Sequence, residues 1–279
     1  MNVLRPSALE AADAWRHLVV AEREQVERLP DRPRPEDFYG PVAERFKADP
    51  RRSDEPLLDV LRSLVEPGET WIDIGAGGGR YTLALALLAR RVYAVEPSAG
   101  MRGALAEAAN EHGISNVEVF DERWPGESNA PVADVALITH VGYDIAEMGA
   151  FLDMMDAHAT RLCVDVMFGR APITDWAPLW RAVHGEERHL LPAAPEMLTL
   201  LFARGKMPEV RFLELPPRTY GDLQSLWASA RRPLWVTPGS EQDARLEAAV
   251  RELAVTVDGG YALSSAARRL GVITWRPRG

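Results

Sequence analysis

The residues best suited to chemistry lie in the run Thr70-Trp71-Ile72-Asp73-Ile74-Gly75-Ala76-Gly77-Gly78-Gly79-Arg80 and at two places downstream, Glu96 and His140. Trp71, Ile72 and Ile74 favour a short buried strand. Gly75, Gly77 and Gly79 then give a turn in which no Cβ stands between the main chain and an approaching ligand. From Tyr81 to Ala89 there is no Gly, Pro or Asp, and Leu83, Leu85, Leu87 and Leu88 support a helix. A strand, a glycine turn and a helix start together predict a nucleotide-type cradle whose mouth is lined by amide groups. About twenty residues on, the run Val92-Tyr93-Ala94-Val95 predicts a second strand ending in Glu96, an acid placed to accept hydrogen bonds from ribose hydroxyls.

A dinucleotide site asks for Gly-x-Gly-x-x-Gly or -Ala, and counted from Gly75 the last of those positions is Arg80. The pattern present is Asp-x-Gly-x-Gly-x-Gly, followed by Glu96-Pro97-Ser98-Ala99-Gly100-Met101. This pairing resembles the class I S-adenosylmethionine-dependent methyltransferases of small-molecule type. The resemblance implies a Rossmann-like, seven-stranded, mostly parallel α/β sheet with helices on both faces. It implies S-adenosylmethionine as cofactor, with S-adenosylhomocysteine as product, bound by Asp73, Gly75, Ala76, Gly77, Gly79, Glu96, Pro97 and Met101. After a third strand at Val117-Glu118-Val119-Phe120, Asp121 and Glu122 match the family's adenine contacts. Trp124 either covers the adenine face or is a surface loop aromatic. The fourth strand, 133–138, runs into Thr139-His140-Val141-Gly142-Tyr143-Asp144, and in the family this carboxyl end faces the reacting methyl group. Thr139 therefore joins the cofactor set.

His140 is the candidate general base or substrate contact, since imidazole titrates near neutrality. Tyr143 is the second catalytic candidate, and Asp144 reads as the cap of the following helix. His184 and His189 lack the His-Glu-x-x-His spacing and read as an exposed polar turn, so no metal is expected. Methyltransferases of nucleic-acid amines carry Asn/Asp-Pro-Pro-Tyr/Phe where this chain has Thr139-His140-Val141-Gly142. That difference points to a small-molecule acceptor rather than nucleic acid. Two other readings share the opening motif: a nicotinamide-dependent oxidoreductase, and a cofactor-binding protein without transfer activity.

These residues must be positioned by the rest of the 279-residue chain, which is long enough for one large domain with additions. Residues 1–66 read as an N-terminal helical cap. Its first helix, 7–29, opens with a Ser7/Glu10 capping box and buries Trp15, Leu18, Val19, Val26 and Leu29. A second helix is expected over 36–48 and a third over 55–65, stopped by Glu66-Pro67-Gly68. Phe38, Tyr39 and Phe46 read as core between these helices or as pocket lining. Residues 67–279 alternate strand and helix, which predicts a parallel sheet, with insertions at about 169–191 and 216–268. The final strand, 271–275, is expected beside 210–215 although helices near 220–230 and 241–254 intervene. The net charge of −9 argues against a polyanionic partner. The single Cys163 excludes an internal disulfide and reads as a buried thiol. No apolar run nears the ~18 residues of a membrane span, and no signal-peptide pattern opens the chain, which predicts a cytoplasmic location.

Overall fold

The computed structural model describes residues 6–29, 43–44 and 46–277. Phe38, Tyr39 and most of the expected 36–48 helix lie outside them. Its last described turn, at 43, 44 and 46, has 3-10 rather than α geometry.

Seven strands form one sheet: β1 (Thr70–Ile74), β2 (Arg91–Val95), β3 (Val117–Phe120), β4 (Ala133–Thr139), β5 (Ala159–Phe168), β6 (Glu209–Leu215) and β9 (Arg268–Trp275). Their order is β3-β2-β1-β4-β5-β9-β6, with β9 antiparallel to both neighbours. Every residue of β1 is buried, as expected for a central strand covered on both faces. The chain order reverses between β1 and β4, which opens a crevice at the carboxyl ends of the strands.

Alternate residues of each strand feed two apolar layers. One holds Ile72, Ile74, Ala136, Ile138, Cys163, Met167 and Ile273, beneath α1 (Ala8–Glu27), α5 (Met148–Ala157) and α7 (Ala194–Ala203). The other holds Trp71, Val92, Val135, Leu137, Val164, Val166 and Val272, beneath α2 (Pro56–Ser63) and α3 (Thr82–Ala86). The capping box at Ser7 and Glu10 forms as read, and Trp15, Val19 and Val26 are buried. Trp15 Nε1 donates to the Ile145 carbonyl at 2.8 Å, which docks α1 onto the loop after β4.

Ser98 caps α4 (Ala99–Glu111) by accepting from the Met101 amide. The expected cap at Asp144 does not form: α5 begins only at Met148, and the Asp144 carbonyl instead accepts from Arg23. The two insertions pack on one another. A 3-10 turn at Pro172–Trp176 leads into α6 (Ala177–His184), which shares a core with α8 (Leu223–Arg231) and α9 (Glu241–Leu253) through Trp180, Leu226 and Leu246. A small hairpin, β7 (Val255–Val257) and β8 (Gly260–Ala262), closes that unit.

The turn at His184–His189 is not simply an exposed polar loop. Arg188 is buried, with its guanidinium 4.2 Å over the Trp180 ring and paired with Glu22. Cys163 is fully buried, as expected.

Candidate active site

The glycine turn after β1 is left-handed three times, at Gly75 (φ +78°), Gly77 (+56°) and Gly79 (+85°). A Cβ at Gly75 would lie 2.5 Å from Val141 Cγ2, so the loop after β4 rests directly on this glycine. Above Gly77 there is room, the first neighbour being the Met101 sulfur at 3.9 Å. Gly78 lies under the backbone of Ala43 and Phe46, which brings the N-terminal segment over the turn.

The amides of this turn are not left pointing into the mouth, as the glycine spacing alone suggests. Gly75 and Ala76 N–H both donate to the Val95 carbonyl, and Gly79 N–H donates to Ala76. The Gly77 amide donates to Glu96 at 2.8 Å, and the Ser98 amide donates to its other carboxylate oxygen at 2.8 Å. Glu96 is therefore turned into the glycine turn and held there from both sides. Asp73 is buried, and Thr82 Oγ1 donates to it at 2.5 Å. Burial raises its pKa to about 6, against the Thr82 hydrogen bond, with the nearby charge of Glu96 adding to the rise. Thr82, on the first turn of α3, carries no motif signal, and sequence reasoning missed it.

Other expected contacts are spent on protein partners. Asp121 forms a two-pronged ion pair with Arg102, both bonds 2.7 Å, while Arg102 also donates to the Glu96 carbonyl. Glu122 accepts from Ser128 Oγ and from the Asn129 amide, which holds its pKa down against the cost of burial. Trp124 is core, neither adenine cover nor surface: its ring meets Phe151 edge-on and lies 4.7 Å from His158. Pro97 links Glu96 to the Ser98 cap, and Met101 is buried one turn on. The Thr139 hydroxyl is buried and unpaired at the end of β4.

His140 takes a left-handed conformation (φ +60°), and its amide donates to the Val166 carbonyl at 2.9 Å. Its ring stacks on Phe168, centroids 5.0 Å apart and planes 13° apart. The residue is exposed by surface area, yet its ring sits deep among protein atoms. Its stacking on Phe168 covers one face of the ring. Burial pushes the imidazole down to about 4, with Glu55 opposing and Arg80 and Arg268 adding, so the ring is neutral at pH 7.

Glu55 collects Arg52, Arg80 and the Tyr81 hydroxyl around itself, a cluster with no sequence signature. Tyr143 is buried, and its hydroxyl accepts from the Phe168 amide at 2.7 Å. Burial raises the phenol well above its ordinary range, so Tyr143 ties the loop to β5 and is no base near neutrality. Among the described residues no group of His, Cys, Asp and Glu could hold a metal ion.

Residues 72–157, from β1 to the end of α5, match the family model of the methyltransferase domain. An uncharacterised protein of Haemophilus influenzae is 28% identical over 123 residues, 44% of this chain and 42% of that protein. The chain thus spans about two fifths of the length of the curated relative it matches.

Solved structures share the fold of the methyltransferase domain. YcgJ of Bacillus subtilis superposes with a TM-score of 0.56 at 14% identity, covering 80% of this chain and 98% of that one. Magnesium protoporphyrin IX methyltransferase of Synechocystis, solved with bound S-adenosylhomocysteine, gives 0.54 at 13% identity over 86% and 95%. The N-methyltransferase NodS of Bradyrhizobium japonicum, also in complex with S-adenosylhomocysteine, gives 0.51 at 15% identity over 87% and 100%.

Proposed function

We propose that this protein transfers the methyl group of S-adenosylmethionine to a small-molecule acceptor. The observation that carries the reading is Glu96, whose carboxylate is fixed over an open glycine by the amides of Gly77 and Ser98. It lies at the carboxyl edge of the sheet, inside the stretch that matches the methyltransferase domain.

The residues present fit an adenosyl amino acid. Gly77 leaves a space that a Cβ would enter, and the Glu96 carboxylate beside it is an acceptor of the kind sugar hydroxyls suit. Gly75 to Gly79 would hold the amino-acid end, and Glu96, Pro97 and Met101 the nucleoside. Because the turn's own amides are largely satisfied within the protein, it offers a close main-chain surface more than a nest of donors.

The bound cofactor supplies a methyl group on a positively charged sulfur, which needs little further activation. What the chain contributes is alignment and exclusion of water. Val141 and Tyr143 fix the loop after β4 against Gly75 and Phe168. On this reading the neutral imidazole of His140, in the same loop, stands at the acceptor end and takes a proton from a protonated acceptor atom. The reading takes residues 1–66 as a cap on a methyltransferase domain of 67–279, working in the cytoplasm. Among the described residues no helix is long and apolar enough to cross a membrane.

Calorimetric titration with S-adenosylhomocysteine tests the proposal. Saturable heat in the micromolar range is expected, and no heat at high micromolar ligand would overturn it.

A further inference from the structure

The carboxyl edge of β5 and the matching ends of β6 and β9 gather arginines that the methyl-transfer reading leaves unused. Arg268, the first residue of β9, pairs with Leu215, the last of β6, while Phe168, the last of β5, pairs with Leu270. This register brings Arg170, two residues beyond Phe168, and Arg218, three beyond Leu215, to the same edge as His140. The Arg268 guanidinium sits 5.4 Å over the Phe168 ring that His140 stacks on, and its Nε donates to the Pro216 carbonyl at 3.0 Å.

The cluster is short of negative charge. Asp175 lies within electrostatic reach of Arg170, Arg218 and Arg268 together, and none of these three forms an ion pair within 4 Å among the described residues. Burial pushes the Asp175 carboxyl upward, against the charges of Arg268, Arg218 and Arg170. Burial, and then the charge of Arg218, push Arg268 below its ordinary value, with Asp175 and Tyr220 opposing. In a chain of net charge −9 such a concentration runs against the overall balance. Arg170 and Arg218 are exposed, Arg218 beside the Tyr220 hydroxyl, whereas Arg268 is half-buried and lies over Phe168.

We infer that Arg170, Arg218 and Arg268 form an anion subsite beside His140, and that the methyl acceptor carries a carboxylate or phosphate group held there. Guanidinium groups suit either group, since their paired N–H donors match two oxygens at once. The aromatic platform of Phe168 and His140 lies next to it, so the acceptor is an anion with a flat or apolar body whose reacting atom rests near the imidazole. This inference rests on the methyl-transfer reading only for the word acceptor; the anion subsite itself does not depend on it.

The test follows thermal unfolding at constant ionic strength with inorganic phosphate, malonate or chloride, in wild type, Arg218→Gln and Arg218→Gln/Arg268→Gln. Saturable stabilisation by phosphate or malonate, not by chloride, is expected. A preference between the two oxyanions tells a phosphate acceptor from a carboxylate one. Affinity for the better anion should fall at least five-fold in Arg218→Gln and further in the double variant. Arg218 is exposed, so its single variant tests the idea even where the double variant folds poorly.

S-adenosylhomocysteine titration of the same proteins separates the two readings. Retained cofactor affinity with lost anion binding supports the subsite. Equal anion response in all three proteins overturns it, as does loss of S-adenosylhomocysteine binding in Arg218→Gln, which would assign the arginines to the cofactor. Anion binding lost in the variants, with no S-adenosylhomocysteine heat even in wild type, supports the subsite and removes only the methyl-transfer reading.

Discussion

The Gly77 amide donates to a carboxylate oxygen of Glu96 at 2.8 Å, so the turn after β1 is latched to the residue that ends β2. Glu96→Ala removes that latch together with the proposed acceptor for sugar hydroxyls. The variant is expected to bind S-adenosylhomocysteine about 1–3 kcal/mol more weakly, the usual cost of leaving buried polar partners unmade. Calorimetry on folded protein checks this, and unchanged affinity would place the sugar elsewhere.

Gly75→Ala is expected to destabilise the protein for two separable reasons. An alanine at φ +78° carries about 1–2 kcal/mol of backbone strain, and its Cβ would collide with Val141. Combining it with Val141→Ala should relieve the collision and leave the strain. Gly77→Ala has a positive φ but a nearest neighbour at 3.9 Å, so it should show strain alone. Denaturant unfolding of the set gives the coupling energy directly.

Asp165 sits on β5 with both oxygens buried and unpaired, and burial drives its pKa well above the ordinary value. The neutral acid is the form the fold accepts. Its contribution is fully present below the unfolded pKa of about 4 and is lost as pH rises toward the folded value. Asp165→Asn should therefore gain stability over wild type as pH goes from about 4 to 8. Each ten-fold difference in proton affinity between the folded and unfolded chain is worth about 1.4 kcal/mol. Parallel unfolding curves at several pH values measure it. A difference independent of pH would mean that the carboxyl has found a partner.

His140, with its pKa near 4, is already in its basic form throughout the physiological range. Turnover should show no limb near pH 6.5 arising from this ring. His140→Asn keeps a residue that tolerates the left-handed backbone, and it should lower kcat roughly ten-fold or more while S-adenosylhomocysteine affinity stays within about two-fold. Equal loss in both would assign the imidazole to the cofactor.

The strands and their glycine turn were legible because local pattern dictates them. Alternating or continuous β-branched residues marked β1, β4 and β5, and the Ser7 and Ser98 caps stood out by their side chains. What spacing does not announce is a partner far along the chain: Tyr143 answers to Phe168, Trp124 to Phe151, and Arg188 to Glu22. The start of α5 slipped because Asp144 gave up its cap and the loop was claimed instead by α1, through Trp15. The hairpin of β7 and β8 was missed because strands of three residues carry almost no periodic signal.

Leu215 and Arg268 face each other across paired strands, so the segment 216–267 departs and returns at one spot. Closing so long a detour costs only about 2 kcal/mol more than closing a four-residue turn, since the entropy grows with the logarithm of length. Evolution can therefore exchange that whole excursion while the sheet and its glycine turn stay untouched. The edge bearing Arg218 and Arg268 is its doorway, and a new excursion would present a new clientele to the same chemistry.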